Sequence, residues 1–449
     1  VHFDDEVLRL IASSFENEED NESCAPKLIN TQNQSTINVI ERFAKYSTRV
    51  RSIVEKIITT GFNETTAVDD GLIKRIVSTP SQKEVRIYNG PHIYVANPAY
   101  KMPRPVINNN SSYDVINIAE IPDRFIPSTC FVPTVDIINL RSLIPGFEIG
   151  KDSSGRTRRD CWLDYYKLGI SEWVGPDAER TLSGAILPPN THHVGTIVSV
   201  TFKNYNYLVE LAGLISSIPF DFFMKITGAK HIKQYRIESF PIGMADSMRA
   251  SLFSRVLRLN CITEHYNDLL GHVWNQKQAM QEWSIFDERL SPFSSLTRTW
   301  HHELPLRNHF ERRWALVELD VISAMALGMS LQELETIYLI QFPILQNYEE
   351  NTWYDSKGNI VYTKNTQGLK GVGVDRSIWE QIHGDLSEDE LTYSGNSNTY
   401  THTIDSAKSA LYGGQQVTYY APYTKCDRIE DYRRAWAHFE KIFGEEKDD

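Results

Sequence analysis

Apolar and polar positions along this chain repeat with two periods, and the period changes where elements should change. Over 36–60, Ile37, Ile40, Phe43, Ala44, Val50, Val54 and Ile57 fall near helical spacing behind Ser35, which predicts a long amphipathic helix. Residues 70–78 predict a second, short helix ended by Pro80. Over 84–96 the pattern turns strand-like, with a turn at Asn89-Gly90-Pro91. Residues 97–150 are rich in Pro and Asn and read as loops with short strands, one of them over 113–118. Residues 151–160 read as a polar loop containing Gly155 and several basic side chains.

From residue 181 the elements alternate. Strands are predicted over 182–187 and 195–202, a helix over 205–216 and a strand over 231–237. Helices follow over 245–272 and 308–327, the second with Phe310, Trp314, Val317, Val321 and Met325 on one face. Gly328 ends it, and Ser330 with Glu333 makes a capping box for a further helix that Pro343 stops. A hairpin over 353–362 turns at 356–359, and a last helix covers 428–443. No internal repeat is found. The succession predicts an α+β, multidomain chain: a helical segment over 1–82, a mixed α/β domain over 83–243, and a helical domain over 244–449 with a β-hairpin insertion.

Of 449 residues, 41% are apolar and 23% charged, which supports real cores and excludes a wholly disordered chain. The most apolar run, 208–224, is interrupted by Glu210 and Asp221, so no membrane-spanning helix is expected. The opening residues are acidic, unlike a secretory signal, and the initial Val1 suggests a fragment of a longer chain. The five cysteines are scattered and form no Cys-x-x-Cys, so neither a zinc ribbon nor a disulfide framework is signalled. A cytoplasmic location with free thiols is the expectation.

The net charge of −12 repels polyanions from the chain as a whole, so such a partner is expected only at a local surface. Acidic stretches lie at 16–20, 385–390 and 445–449. Two basic knots stand apart from them. Arg156, Arg158 and Arg159 precede Trp162, Tyr165 and Tyr166. Lys225, Lys230, Lys233 and Arg236 follow Phe222 and Phe223 and flank Tyr235. Cations mixed with aromatics can grip phosphates and read base edges, so these seven residues are the candidate DNA contacts.

Catalytic signals are weaker. Asn97-Pro98-Ala99-Tyr100 follows a predicted strand and resembles the Asn-Pro-Pro-Tyr of amino-methylating DNA methyltransferases, whose target base leaves the duplex. That chemistry needs S-adenosylmethionine on a Gly-rich strand-to-helix turn. Before Gly90 the chain has only Gly61 and Gly71, and Gly371-Val372-Gly373 lacks a third Gly and a convincing preceding strand. A structural Asn-Pro turn is therefore expected, and no catalytic residue is assigned. His192-His193 and His301-His302 lack a His-Glu-x-x-His pattern or a compact carboxylate partner, so no metal site is expected.

Taken together, Leu211-Ala212-Gly213, the aromatic run Phe220, Phe222 and Phe223, Gly228, and the apolar exit at Pro241-Ile242 resemble a target-recognition domain. Ser216-Ser217 stands where that module usually carries an Asn step. Tyr113 to Ile116, Leu306 to Arg313, Ala324 to Gly328 and Asp427 to His438 extend the likeness over roughly 85–449. The order of segments resembles the C-terminal portion of large N6-adenine DNA methyltransferases from bacterial restriction and phage-defence systems. That resemblance implies a recognition half, with S-adenosylmethionine held by an upstream catalytic domain and no cofactor in this chain. Its partners would be double-stranded DNA and that catalytic domain or other defence subunits, with no membrane. Two other readings stay open here: a non-catalytic assembly subunit of a defence complex, or a complete, divergent methyltransferase using Asn97 to Tyr100.

Overall fold

The computed structural model describes residues 34–445 apart from 47, 55, 59–60, 108–111, 145, 176–177, 365–372 and 385–398. Cys24, the acidic stretches at 16–20 and 385–390, Gly371-Val372 and residues 446–449 lie outside the described residues. The fold is α+β and multidomain. The main core is carried by α1 (Gln34–Lys45), α2 (Tyr205–Ile215), α3 (Ile218–Lys225), α4 (Asp246–Asn260), α5 (His309–Ala326), α6 (Leu331–Gln341), α7 (Pro343–Glu350) and α8 (Arg428–Glu445). Helix α5 packs on α4 and α8, and α2 packs on α4. An antiparallel sheet, ordered Lys56–Ile58, Ile197–Thr201, Lys167–Ser171, Gly184–Leu187, lies against α2.

A second core forms around Ile73, Ile87, Phe131, Phe147 and Trp162. Its sheet runs Thr191–His193, Arg86–Tyr88, Thr129–Pro133, Ile73–Ser78; only the first pair is parallel. From this core projects a β-ribbon, Gly146–Lys151 paired with Thr157–Cys161. A third, smaller core gathers Val361, Trp379, Tyr419 and Tyr423 around the hairpin Trp353–Tyr354 and Ile360–Tyr362. The strands at 56–58 and 73–78 join sheets built later in the chain, and the main core takes in residues on both sides of 243 through the packing of α2 on α4.

Local signals account for several elements. Asn308 and Glu311 cap α5 reciprocally, and Ser330 and Glu333 do the same for α6. Gly328, at φ +70°, closes α5 in the left-handed region that a side chain would resist. Other expectations fail for physical reasons. Helix α1 stops at Lys45 because Arg49 turns its guanidinium onto the Phe43 and Ala44 carbonyls, at 2.5 and 3.1 Å. Residues 73–78 form a strand where a helix over 70–78 is expected. Asn63 caps a helix over Glu64–Asp69, and Gly71 turns the chain into the β-branched run Ile73, Ile76, Val77. The strand expected over 231–237 is a short helix, Gln234–Glu238, that buries Ile237. The helix expected over 245–272 breaks at Cys261, where the Asn260 amide oxygen accepts the Ile186 N–H at 2.9 Å and ties α4 to the main sheet.

The charges that interrupt the apolar run 208–224 are buried and satisfied. Glu210 accepts the Gly243 and Met244 N–H groups at 2.5 and 2.8 Å. Asp221 accepts Thr181 and Leu182 at 2.9 and 3.0 Å and pairs with Arg180. The run itself bends by 70° between α2 and α3, and among the described residues no single helix is long and apolar enough to cross a membrane.

Candidate functional site

The two basic knots land on different parts of the molecule. Arg156, Arg158 and Arg159 sit on the β-ribbon, all exposed. Its polar loop is a tight turn: Asp152 accepts the Ser154 and Arg156 N–H groups at 2.8 and 2.9 Å. Its foot is rigid, with Phe147 stacked on Trp162 at 5.4 Å and edge-on to Tyr165 at 4.8 Å. Arg159 pairs with Glu148 at 3.3 Å across the ribbon surface, an exposed pair worth about 0–1 kcal/mol. Among the described residues the Arg156 and Arg158 side chains make no hydrogen bond or ion pair. Neighbouring strand residues face opposite ways, so Arg158 and Arg159 put cations on both faces of the ribbon, with Arg156 at its turn.

The second knot sits at the end of α3. Lys230 and Lys233 are exposed, whereas Lys225 and Arg236 are half-buried, their cations 5.4 Å from the Phe342 ring and 5.0 Å from the Tyr235 ring. Beside them stands Trp173, which is 62% exposed and meets the His231 ring edge-on at 5.1 Å. Its neighbour Val174 donates to the Lys230 carbonyl at 3.0 Å. Trp173 was missed because it sits far from the basic residues in sequence; an indole this exposed beside lysines is the signal only the fold provides.

Asn97-Pro98-Ala99-Tyr100 is a built turn. The Asn97 amide oxygen accepts the Ala99 N–H at 3.1 Å, and Asn97 and Tyr94 exchange backbone bonds at 2.9 and 3.2 Å. Ala96, at φ +49°, is a strained non-glycine held by Gly184 on one side and by the Arg312 guanidinium at 2.9 Å on the other. The neighbouring sheet is antiparallel, and among the described residues no Gly-rich strand-to-helix turn stands at its edge. No methyl transfer is routed through these residues.

The same turn nevertheless lines a cavity of about 520 Å³ between the 94–101 loop, the 178–180 loop, the N-terminus of α5, and α7. The Tyr94 and Tyr100 rings stack there at 4.7 Å. Burial pushes the Glu179 carboxyl up to about 7, against the pull of Arg180. Burial also opposes ionisation of Glu349, but Arg428 and Arg313, at 2.7 and 2.9 Å, overcome it and hold its carboxyl down to about 2. Burial, with Arg312 nearby, lowers His309 to about 4.

The histidine pairs do other work. His193 bonds the Val194 carbonyl at 2.9 Å and the Ser199 hydroxyl at 2.7 Å, and His302 meets Asp123 at 2.7 Å. Among the described residues no group of three or more His, Cys, Asp or Glu is placed to hold a metal ion. Compared with known proteins, the chain matches no family model and no curated protein.

Proposed function

We propose that this chain is the sequence-specific DNA-recognition portion of an N6-adenine DNA methyltransferase of a restriction or phage-defence system, its catalytic domain lying outside the chain. The observation that carries the reading is the ribbon: a two-stranded antiparallel element, rigid at its foot, with three exposed arginines along its second strand and turn. The major groove of DNA admits such a ribbon, and Arg is the commonest reader of guanine there. Trp173 with Lys230 and Lys233 supplies a second surface of the kind that holds backbone and bases. The test is selection of binders from a duplex pool with a randomised centre. Enrichment of one motif by the chain, lost with R156A/R158A/R159A, is expected; an unenriched pool contradicts the reading. Titration with S-adenosylmethionine in a calorimeter should give no heat, and a stoichiometric complex would return Asn97 to a catalytic role.

A second reading, a non-catalytic assembly subunit, is favoured by one feature. Ile76, Ile137, Ile138 and Leu143 are exposed apolar residues around the edge strand Ile73–Ser78, more than a lone module needs on its surface. Ile138→Glu would abolish co-purification with other defence subunits on that reading and leave it unchanged on the first.

A further inference from the structure

We propose that the cavity walled by Tyr94, Tyr100, Glu179, Arg307 and Arg312 is a binding site for a nucleotide, a flat heterocycle joined to a phosphate. Its volume, about 520 Å³, lies in the range of small-molecule sites. The wall residues Tyr94, Asn97, Tyr100, Arg307, His309 and Arg312 are half-buried, so their side chains meet open space inside the fold.

The charge balance favours an anion. Arg180 is taken by Asp221, Arg313 by Glu349 and Asp431, and Arg428 by Glu349 and Asp320. Arg307 and Arg312 donate to neutral acceptors. Arg312 bonds the Leu259, Leu306 and Ala96 carbonyls at 3.0, 3.1 and 2.9 Å. Arg307 bonds the His302 and Ile118 carbonyls at 3.0 and 2.8 Å and the His302 ring at 3.3 Å. A guanidinium carries five N–H groups, so each arginine keeps two for a phosphate. A further cation, the Lys101 ammonium, lies 4.7 Å over the Tyr100 ring. Against the two arginines the wall sets one carboxyl without an arginine bonded to it, Glu179, which the Tyr94 hydroxyl reaches at 3.4 Å.

The other half of the site suits a ring. The Tyr94 and Tyr100 stack offers a π-face, and Tyr348 also lines the wall. The Asn97 oxygen is spent on Ala99, which leaves its NH₂ to donate to a ring acceptor. The Glu179 carboxyl can accept from a ring amine when ionised or donate when protonated.

The experiment is calorimetric titration of the full chain with the four 5′-mononucleotides, with inorganic phosphate as control. Saturable binding of at least one nucleotide is expected, with phosphate alone weaker by about 10-fold or more. Tyr100→Leu should weaken it by about 10-fold through the lost stack. Lys101→Gln, a milder change at a half-buried position, should weaken it a few-fold. Adding duplex DNA then separates two sources of the same chemistry: displacement of a bound fluorescent nucleotide points to an extrahelical nucleotide of DNA, and undisturbed binding points to a free one. No heat with any nucleotide overturns the proposal, as does equal affinity for phosphate alone or unchanged affinity in both variants.

Discussion

The arginines of the helical core and those of the ribbon are the same residue put to opposite uses. In the core, Arg255 meets Glu318 at 2.6 Å and the Ser251 and Glu282 carbonyls at 2.8 and 2.9 Å. Arg428 spans Asp320 and Glu349 at 2.6 and 2.7 Å, and Arg313 joins Glu349 to Asp431 at 2.9 and 2.7 Å. Each is a desolvated strut between helices, paired with buried carboxylates. On the ribbon, Arg156 and Arg158 keep their guanidinium groups in water. A cation count therefore says little about polyanion binding. What matters is whether the cation has already been neutralised from within.

Breaking a core strut should give the largest effect. Arg428→Ala leaves Asp320 and Glu349 buried without their main partner, and such losses cost about 3–5 kcal/mol. Urea denaturation should show that loss or an insoluble chain; a change within 1 kcal/mol would mean the network is not desolvated. Next in size is Ile337→Ala on α6, whose Leu334, Ile337 and Tyr338 are buried where α6 meets α1, α3 and α8. A cost of about 2–5 kcal/mol is expected with DNA affinity intact. Weaker DNA binding at unchanged stability would move α6 to the recognition surface.

Lys167 sharpens the comparison, because it is a buried cation without a carboxylate bonded to it. Its ammonium donates to the Thr191 carbonyl at 3.0 Å, and burial lowers it to about 7 from an ordinary 10.5. Between those values the unfolded chain holds a proton that the folded chain lacks, so stability rises with pH from about 7 to about 10.5 and the penalty is complete below 7. Lys167→Met should stabilise the protein at pH 6 relative to pH 10, by denaturation at both. A variant difference that does not move with pH would show that Lys167 stays charged. The smallest stability effect belongs to the ribbon: R156A, R158A and R159A should each change stability by less than about 0.5 kcal/mol in thermal melts. A larger loss would make these arginines struts as well.

What could be read from the sequence follows the range of the interactions. The helix start at Asn308, the capping box at Ser330, the stop at Gly328 and the hairpin at 353–362 depend on residues a few positions apart, and the expected elements match. The segments 70–78 and 231–237 were misread because sheet pairing and the burial of Ile237 outweigh their local pattern. The partners of Glu210, Asp221 and Asp320 are 30 to more than 100 residues away, so burial of these charges left no local trace. The cavity escaped for the same reason. Its wall draws on residues near 97, 179, 312, 348 and 428, and of these only the Asn-Pro turn stood out alone. All seven candidate DNA contacts were legible as charge, but not that the fold would part them into two surfaces.

The central claim, that the exposed ribbon arginines hold DNA, is tested most directly by the salt dependence of duplex binding. Affinity is measured by fluorescence anisotropy across a series of salt concentrations for the unaltered chain and for R156A/R158A/R159A. Each phosphate contact contributes about 0.9 to the slope of log affinity against log salt. The account predicts that the triple variant binds more weakly and loses up to about 2.7 from that slope. Equal affinity and equal slope for the two proteins would contradict it.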